Sequence, residues 1–158
     1  MLLKIKITFL VLSLFSTPLW SNNQNIETDS LKANQLFIKG IATFRESNYF
    51  DAINFFSKSL DLNKKLYGDK SYEAGRLYNA LGIAYRNIGN YNQAKNFFRL
   101  AEESYLNDPN TSRTSIAGLY NNMGLAYKNT FDFITALNYL QRAVDIYDTE
   151  IQKDNYRI

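Results

Sequence analysis

Between residues 77 and 106 the apolar and small positions follow a helical rhythm. Tyr78, Leu81, Gly82 and Tyr85 share one face, Gly89-Asn90 interrupts it, and Ala94, Phe98 and Ala101 restart it. The pattern predicts a helix, a tight turn and a second helix. The same series returns 42 residues later as Tyr120, Met123, Gly124, Tyr127, then Ala136, Leu140, Ala143. It stands more faintly 42 residues earlier as Leu36, Gly40, then Ala52, Phe56, Ser59. A fixed period with glycine and alanine in register indicates a helical repeat array.

Laying 75–106 over 117–148 tests the register. Identities fall at Leu77/Leu119, Tyr78/Tyr120, Asn79/Asn121, Gly82/Gly124, Ala84/Ala126, Tyr85/Tyr127, Asn87/Asn129, Ala94/Ala136, Asn96/Asn138, Ala101/Ala143 and Tyr105/Tyr147. Chance at this composition would give about two. Gly82 and Gly124 sit inside helices, where glycine costs about 1 kcal/mol against alanine. Close approach of the second helix of the same unit accounts for them, with Ala94 and Ala136 as the matching small surface. Tyr85, Tyr127, Phe98 and Leu140 then fill the surrounding volume. One such unit cannot bury its own apolar faces, so the three must stack.

Six helices are therefore expected, at about 31–46, 49–66, 71–88, 91–106, 112–130 and 133–150. They group into units at 31–67, 71–106 and 112–150, a single all-α domain over 31–150. Ser47-Asn48, Gly89-Asn90 and Phe131-Asp132 make the short turns; Tyr67-Gly68-Asp69 and Asn107-Asp108-Pro109-Asn110 make longer ones. Residues 22–30 (NNQNIETDS) read as a disordered polar leader, with Asp29 or Ser30 as cap of the first helix. Residues 1–21 read as a secretory signal. Lys4 and Lys6 precede the apolar run 7–15, Pro18 follows it, and cleavage is placed after Ser21. The alternative is an uncleaved membrane anchor, although the apolar run is shorter than the roughly 20 residues a spanning helix needs. Export to the periplasm or outside the cell is the expectation. The tail, 151–158, ends with Ile158 in the register of Ile116, at the threshold of a further unit.

Charge changes the picture little. The chain carries 18 basic and 15 acidic residues, and setting aside Lys4 and Lys6 leaves 16 against 15, a net of +1. No electrostatic footprint for nucleic acid remains. With no Cys and no His, disulfides, thiolate chemistry and the commonest general base and metal ligand are absent. No nucleophile elbow or phosphate-binding glycine loop occurs. Glu102 and Glu103 are adjacent, point to different sides of a helix and read as a solvated face. The expectation is a non-enzyme with no cofactor, no metal and no small-molecule substrate.

These residues resemble the tetratricopeptide repeat. Its aromatic or Leu, Leu-Gly, Tyr, Ala, Phe, Ala pattern is carried by Tyr78, Leu81-Gly82, Tyr85, Ala94, Phe98 and Ala101, and again by Tyr120, Met123-Gly124, Tyr127, Ala136, Leu140 and Ala143. The first unit is degenerate, with Lys39 and Thr43 at the Leu and Tyr positions. The period exceeds the usual 34, as in kinesin light chains and bacterial signalling arrays. The resemblance implies a right-handed α-solenoid of three stacked helix-turn-helix units. It also implies a concave groove, lined by the first helix of each unit, that holds a protein or peptide segment.

Transferred by register, the groove positions are Asn34, Phe37, Ile41, Phe44 and Arg45 in the first unit. They are Arg76, Asn79, Ile83, Arg86 and Asn87 in the second, and Asn121, Asn122, Leu125, Lys128 and Asn129 in the third. Of these, Asn79, Ile83, Arg86, Asn87, Asn121, Asn122, Leu125, Lys128 and Asn129 are the candidate partner-binding residues. Asparagine amides both donate to and accept from a peptide backbone, and Arg86 and Lys128 suit a carboxylate. The competing reading is that these polar residues only solvate an open face. Phe37, Ile41 and Phe44 read either as an apolar pocket or, preferentially, as packing against the next unit. The expected function is an interaction scaffold. The alternative is the exported sensory front, or remnant, of a longer signalling protein such as a histidine kinase or transcriptional regulator. Val144 and Tyr147, exposed at an uncapped end, add self-association as a further expectation.

Overall fold

The computed structural model describes the backbone of residues 2–155 and the side chains of residues 24–152. Among the described residues six helices follow one another: α1 (Leu2–Arg45), α2 (Tyr49–Tyr67), α3 (Tyr72–Asn87), α4 (Tyr91–Asn107), α5 (Arg113–Asn129) and α6 (Phe133–Asn155). They pack in sequence order as the pairs α1/α2, α3/α4 and α5/α6, and successive pairs stack through α2 on α3 and α4 on α5. This is the all-α stack of three helix-turn-helix units that the 42-residue period predicts.

The three short turns are one device used three times. Ser47, Gly89 and Phe131, each 42 residues from the next, adopt the left-handed conformation at φ 62°, 79° and 62°. In each, the following residue donates its N–H back five positions: Asn48 to Thr43, Asn90 to Tyr85 and Asp132 to Tyr127. That closes the preceding helix with the Schellman geometry. The same following residue then caps the next helix through its side-chain oxygen, which accepts from Asp51, Gln93 and Thr135 N–H respectively.

Within each unit an in-helix glycine meets a large side chain. A Cβ on Gly82 would stand 2.5 Å from the Phe98 ring, and one on Gly124 would stand 2.6 Å from Leu140. Phe98 is fully buried. The close approach expected at Gly82 is therefore made by the Phe98 ring itself. A second set of rings, not anticipated, joins the faces. Phe97 stacks on Tyr85 at 5.3 Å and on Tyr78 at 6.3 Å, and its repeat counterpart Tyr139 packs on Tyr127 at 5.6 Å and Tyr120 at 5.8 Å.

Three expectations need correction. The leader is not disordered, because residues 24–30 continue α1. No Gly or Pro interrupts them, Thr28 Oγ1 donates to the Gln24 carbonyl at 2.7 Å, and the Ser30 and Tyr67 hydroxyls lie 3.0 Å apart, tying the segment to the end of α2. Asp29 and Ser30 consequently cap nothing. At the other end α6 runs past 150 to Asn155, again with no breaker to stop it. Glu102 and Glu103 are not merely solvated. Glu103 pairs with Lys70 at 2.8 Å, and Glu102 reaches Arg142 of the next unit at 3.6 Å. Arg142 also donates to the Tyr120 hydroxyl and lies 3.9 Å over that ring. The signal segment and its cleavage site, and the Ile158 register, lie outside the residues whose side chains are described.

The two ends of the stack differ in chemistry. Leu77, Leu81 and Ala84 are buried, and their first-unit counterparts are Gln35, Lys39 and Ala42, all exposed. The outer face of α6 instead exposes Phe133, Leu137, Val144, Tyr147 and Ile151.

Candidate functional site: the face formed by α1, α3 and α5

The first helix of each unit contributes to one continuous face. Arg76 on α3 stacks over Phe37 on α1 at 4.7 Å, and Asn122 on α5 donates to Asn79 Oδ1 on α3 at 3.1 Å. Asn79 and Asn122 are thus partly spent on each other, which fixes α5 against α3. Asn87 donates to the carbonyl of Ile83 on its own helix at 2.8 Å. Asn121, Lys128 and Asn129 are exposed, and no hydrogen bond or ion pair engages their side chains among the described residues. Leu125 is half-buried.

The centre of the face is apolar. Ile41, Phe44 and Arg45 of α1, Phe56 of α2, and Ala80 and Ile83 of α3 surround an open hollow of about 280 Å³. Both readings of the Phe37, Ile41, Phe44 stripe hold in part. Phe37 packs on Phe56 at 5.8 Å and Phe44 on Tyr49 at 5.2 Å, while Ile41 and Phe44 still leave space before α3.

One turn beyond Ile83 stands Arg86. It is half-buried, burial holds its pKa below the ordinary arginine value, and its Nη1 is enclosed with no hydrogen-bond partner. An enclosed, unpaired donor costs roughly 1–3 kcal/mol, and more on a charged group, so a polar partner there is worth binding energy.

A second hollow, of about 230 Å³, lies at the other end of α3, among Asn34, Phe37, Ser59, Asn63, Glu73 and Arg76. The register assignment selected Asn34, Phe37 and Arg76 but missed Asn63 and Glu73. The one available signal was a break in the repeat: Asn63 occupies the position of Tyr105 and Tyr147. Among the described residues no group of three His, Cys, Asp or Glu side chains is placed to hold a metal ion.

A stacked succession of helix pairs with in-helix glycines, and a face that combines an apolar hollow with polar side chains, defines a helical-repeat interaction module. Two models of the tetratricopeptide repeat match it, over residues 35–107 and 116–148. The chain belongs to the tetratricopeptide repeat family, a class of protein–protein interaction modules. Solved structures share the fold. BtubC (BKLC) from P. vanneervenii matches at a TM-score of 0.70 and 20% identity over 75% of this chain and 47% of its own. The chain thus spans about half the length of that relative. MamA matches at 0.60 and 20% identity over 82% of this chain and 71% of its own. The TPR domain of Arabidopsis FLU matches at 0.55 and 19% identity over 80% of this chain and 98% of its own. No curated protein matches the sequence.

Proposed function

We propose that the chain is an exported, non-catalytic scaffold whose α1/α3/α5 face holds an extended protein segment. The observation that carries this is Arg86, a half-buried guanidinium whose Nη1 has no hydrogen-bond partner, one helical turn from the apolar hollow at Ile83. The fitting segment places a bulky apolar side chain in the hollow and a carboxylate or backbone carbonyl on Arg86. Asn121, Lys128 and Asn129 continue the polar track along α5. Export rests on the charge and apolar pattern of residues 1–21.

Selection from a peptide library displayed on phage, against residues 22–158, tests the reading. Enriched peptides should pair an apolar residue with a nearby acidic one. Arg86→Gln should weaken the best of them about tenfold, equivalent to about 1.4 kcal/mol. Asn121→Ala with Lys128→Ala should weaken them without changing thermal stability, because both side chains are exposed. Peptides that enrich but bind all variants alike would place the binding surface elsewhere.

A further inference from the structure

The hollow at the start of α3 exists because the first unit departs from the repeat. In the second unit Tyr105 fills the corresponding volume. Its ring packs over Gly75, where a Cβ would lie 2.6 Å away, and stacks on Tyr72 at 5.7 Å. In the first unit Ala33 stands for Gly75 and Asn63 for Tyr105. Replacing a ring with a short amide leaves space for a ligand and lines it with polar atoms.

Part of that lining is spent, since Ser59 Oγ donates to the Ala33 carbonyl at 2.7 Å and the Ser30 and Tyr67 hydroxyls lie 3.0 Å apart, and part is not. Asn63 is 8% exposed, and its Nδ2 donates to Ser59 O at 2.9 Å and Ser59 Oγ at 3.3 Å. Its carbonyl oxygen therefore remains as an acceptor without a protein donor. Glu73 and Arg76 line the same hollow three residues apart on α3, and no ion pair joins them. Neither side chain makes a hydrogen bond among the described residues. Arg76 is instead held by its rings, 4.7 Å over Phe37 and 5.8 Å over Tyr72. Leu77, Ala33 and Phe37 supply an apolar wall.

We infer that this hollow binds the α-amino end of an amino acid. The ammonium, with three donors and no acceptor, meets the Glu73 carboxylate and the Asn63 carbonyl oxygen. The adjacent carboxylate, or the carbonyl of a peptide's first residue, accepts from Arg76. The side chain lies along Phe37 and Leu77. At roughly 30 Å³ per water-sized group, 230 Å³ takes about eight non-hydrogen atoms, the scale of one medium amino acid. This departs from the expectation of no small-molecule ligand, and it does not rest on the binding role proposed for Arg86.

Isothermal titration of residues 22–158 with L-leucine, Leu-Gly-Gly and N-acetyl-leucine tests the assignment. Leucine, the tripeptide or both should bind. Leucine alone identifies a free amino acid as the ligand, and the tripeptide alone identifies a peptide N-terminus. N-acetylation, which removes the ammonium, should abolish binding. Glu73→Gln should weaken it at least tenfold, and Asn63→Tyr, which restores the ring of the other units, should eliminate it. If Asn63→Tyr fails to fold, Glu73→Gln, a change at a partly exposed position, decides alone. No heat from either amine at about 10 mM, equal binding of the acetylated compound, or an unchanged Glu73→Gln variant would overturn the site.

Discussion

The contrast between Gly82 and Gly40 gives the sharpest test of how the units are held. A methyl group at either position meets a phenylalanine ring at 2.5 Å, Phe98 for Gly82 and Phe56 for Gly40. The local clashes are alike, but the rings differ in their freedom to yield. Phe98 is 0% exposed and lies inside the central unit, whereas Phe56, 2% exposed, borders the 280 Å³ hollow. Overpacking a tight core costs about 1–3 kcal/mol, and replacing an in-helix glycine by alanine returns about 1 kcal/mol. Gly82→Ala should therefore lose up to about 2 kcal/mol net. Gly40→Ala should fall within about 0.5 kcal/mol of wild type, because Phe56 can shift into the hollow. Urea unfolding followed by circular dichroism measures both, provided the slope against urea is unchanged. The double variant Gly82→Ala/Phe98→Leu should lose less than the sum of its single changes, since the ring that causes the clash is gone. Equal losses at the two glycines, or additivity in the double variant, would refute the argument.

Two further outcomes follow from the turns and the core. Phe131 holds φ 62° while 80% exposed, a conformation that costs a residue with a Cβ about 1–2 kcal/mol. Phe131→Gly should raise the urea midpoint, by about 1 kcal/mol in stability, and no gain would mean that its edge contact with Phe133 at 6.2 Å outweighs the strain. Tyr105 has its pKa raised well above the ordinary tyrosine value, chiefly by burial, so the folded state keeps its proton when the unfolded state begins to lose it. Stability from this group is complete below about pH 10 and falls as the pH rises above it. Tyr105→Phe should flatten the alkaline limb of a pH–stability curve; an unchanged limb would assign alkaline unfolding to other groups.

How much of this was legible beforehand varies with the range of the interaction. Gly82, Ala94, Phe98 and the turn at Gly89 could be assigned from spacing, because 3.6-residue periodicity and turn chemistry act over a few residues. The leader was misread for a related reason. Residues 24–30 carry no apolar stripe, and only the Ser30–Tyr67 contact and the continuing helix of α1 organise them. Glu102 was read as solvated because its partner, Arg142, lies 40 residues away.

For the candidate site the division is the same. The sequence by itself determined the period and the pairing of helices, since both follow from register, and from the same register it nominated positions for the α1/α3/α5 face. Only the tertiary structure decided what those positions do. It spends Asn79 on Asn122, encloses Arg86 Nη1 without a partner and leaves a hollow where Asn63 replaces a tyrosine. Register specifies which face a side chain leaves from. The distance and angle between neighbouring helices specify which atom it meets, and those are settled by packing across the whole stack.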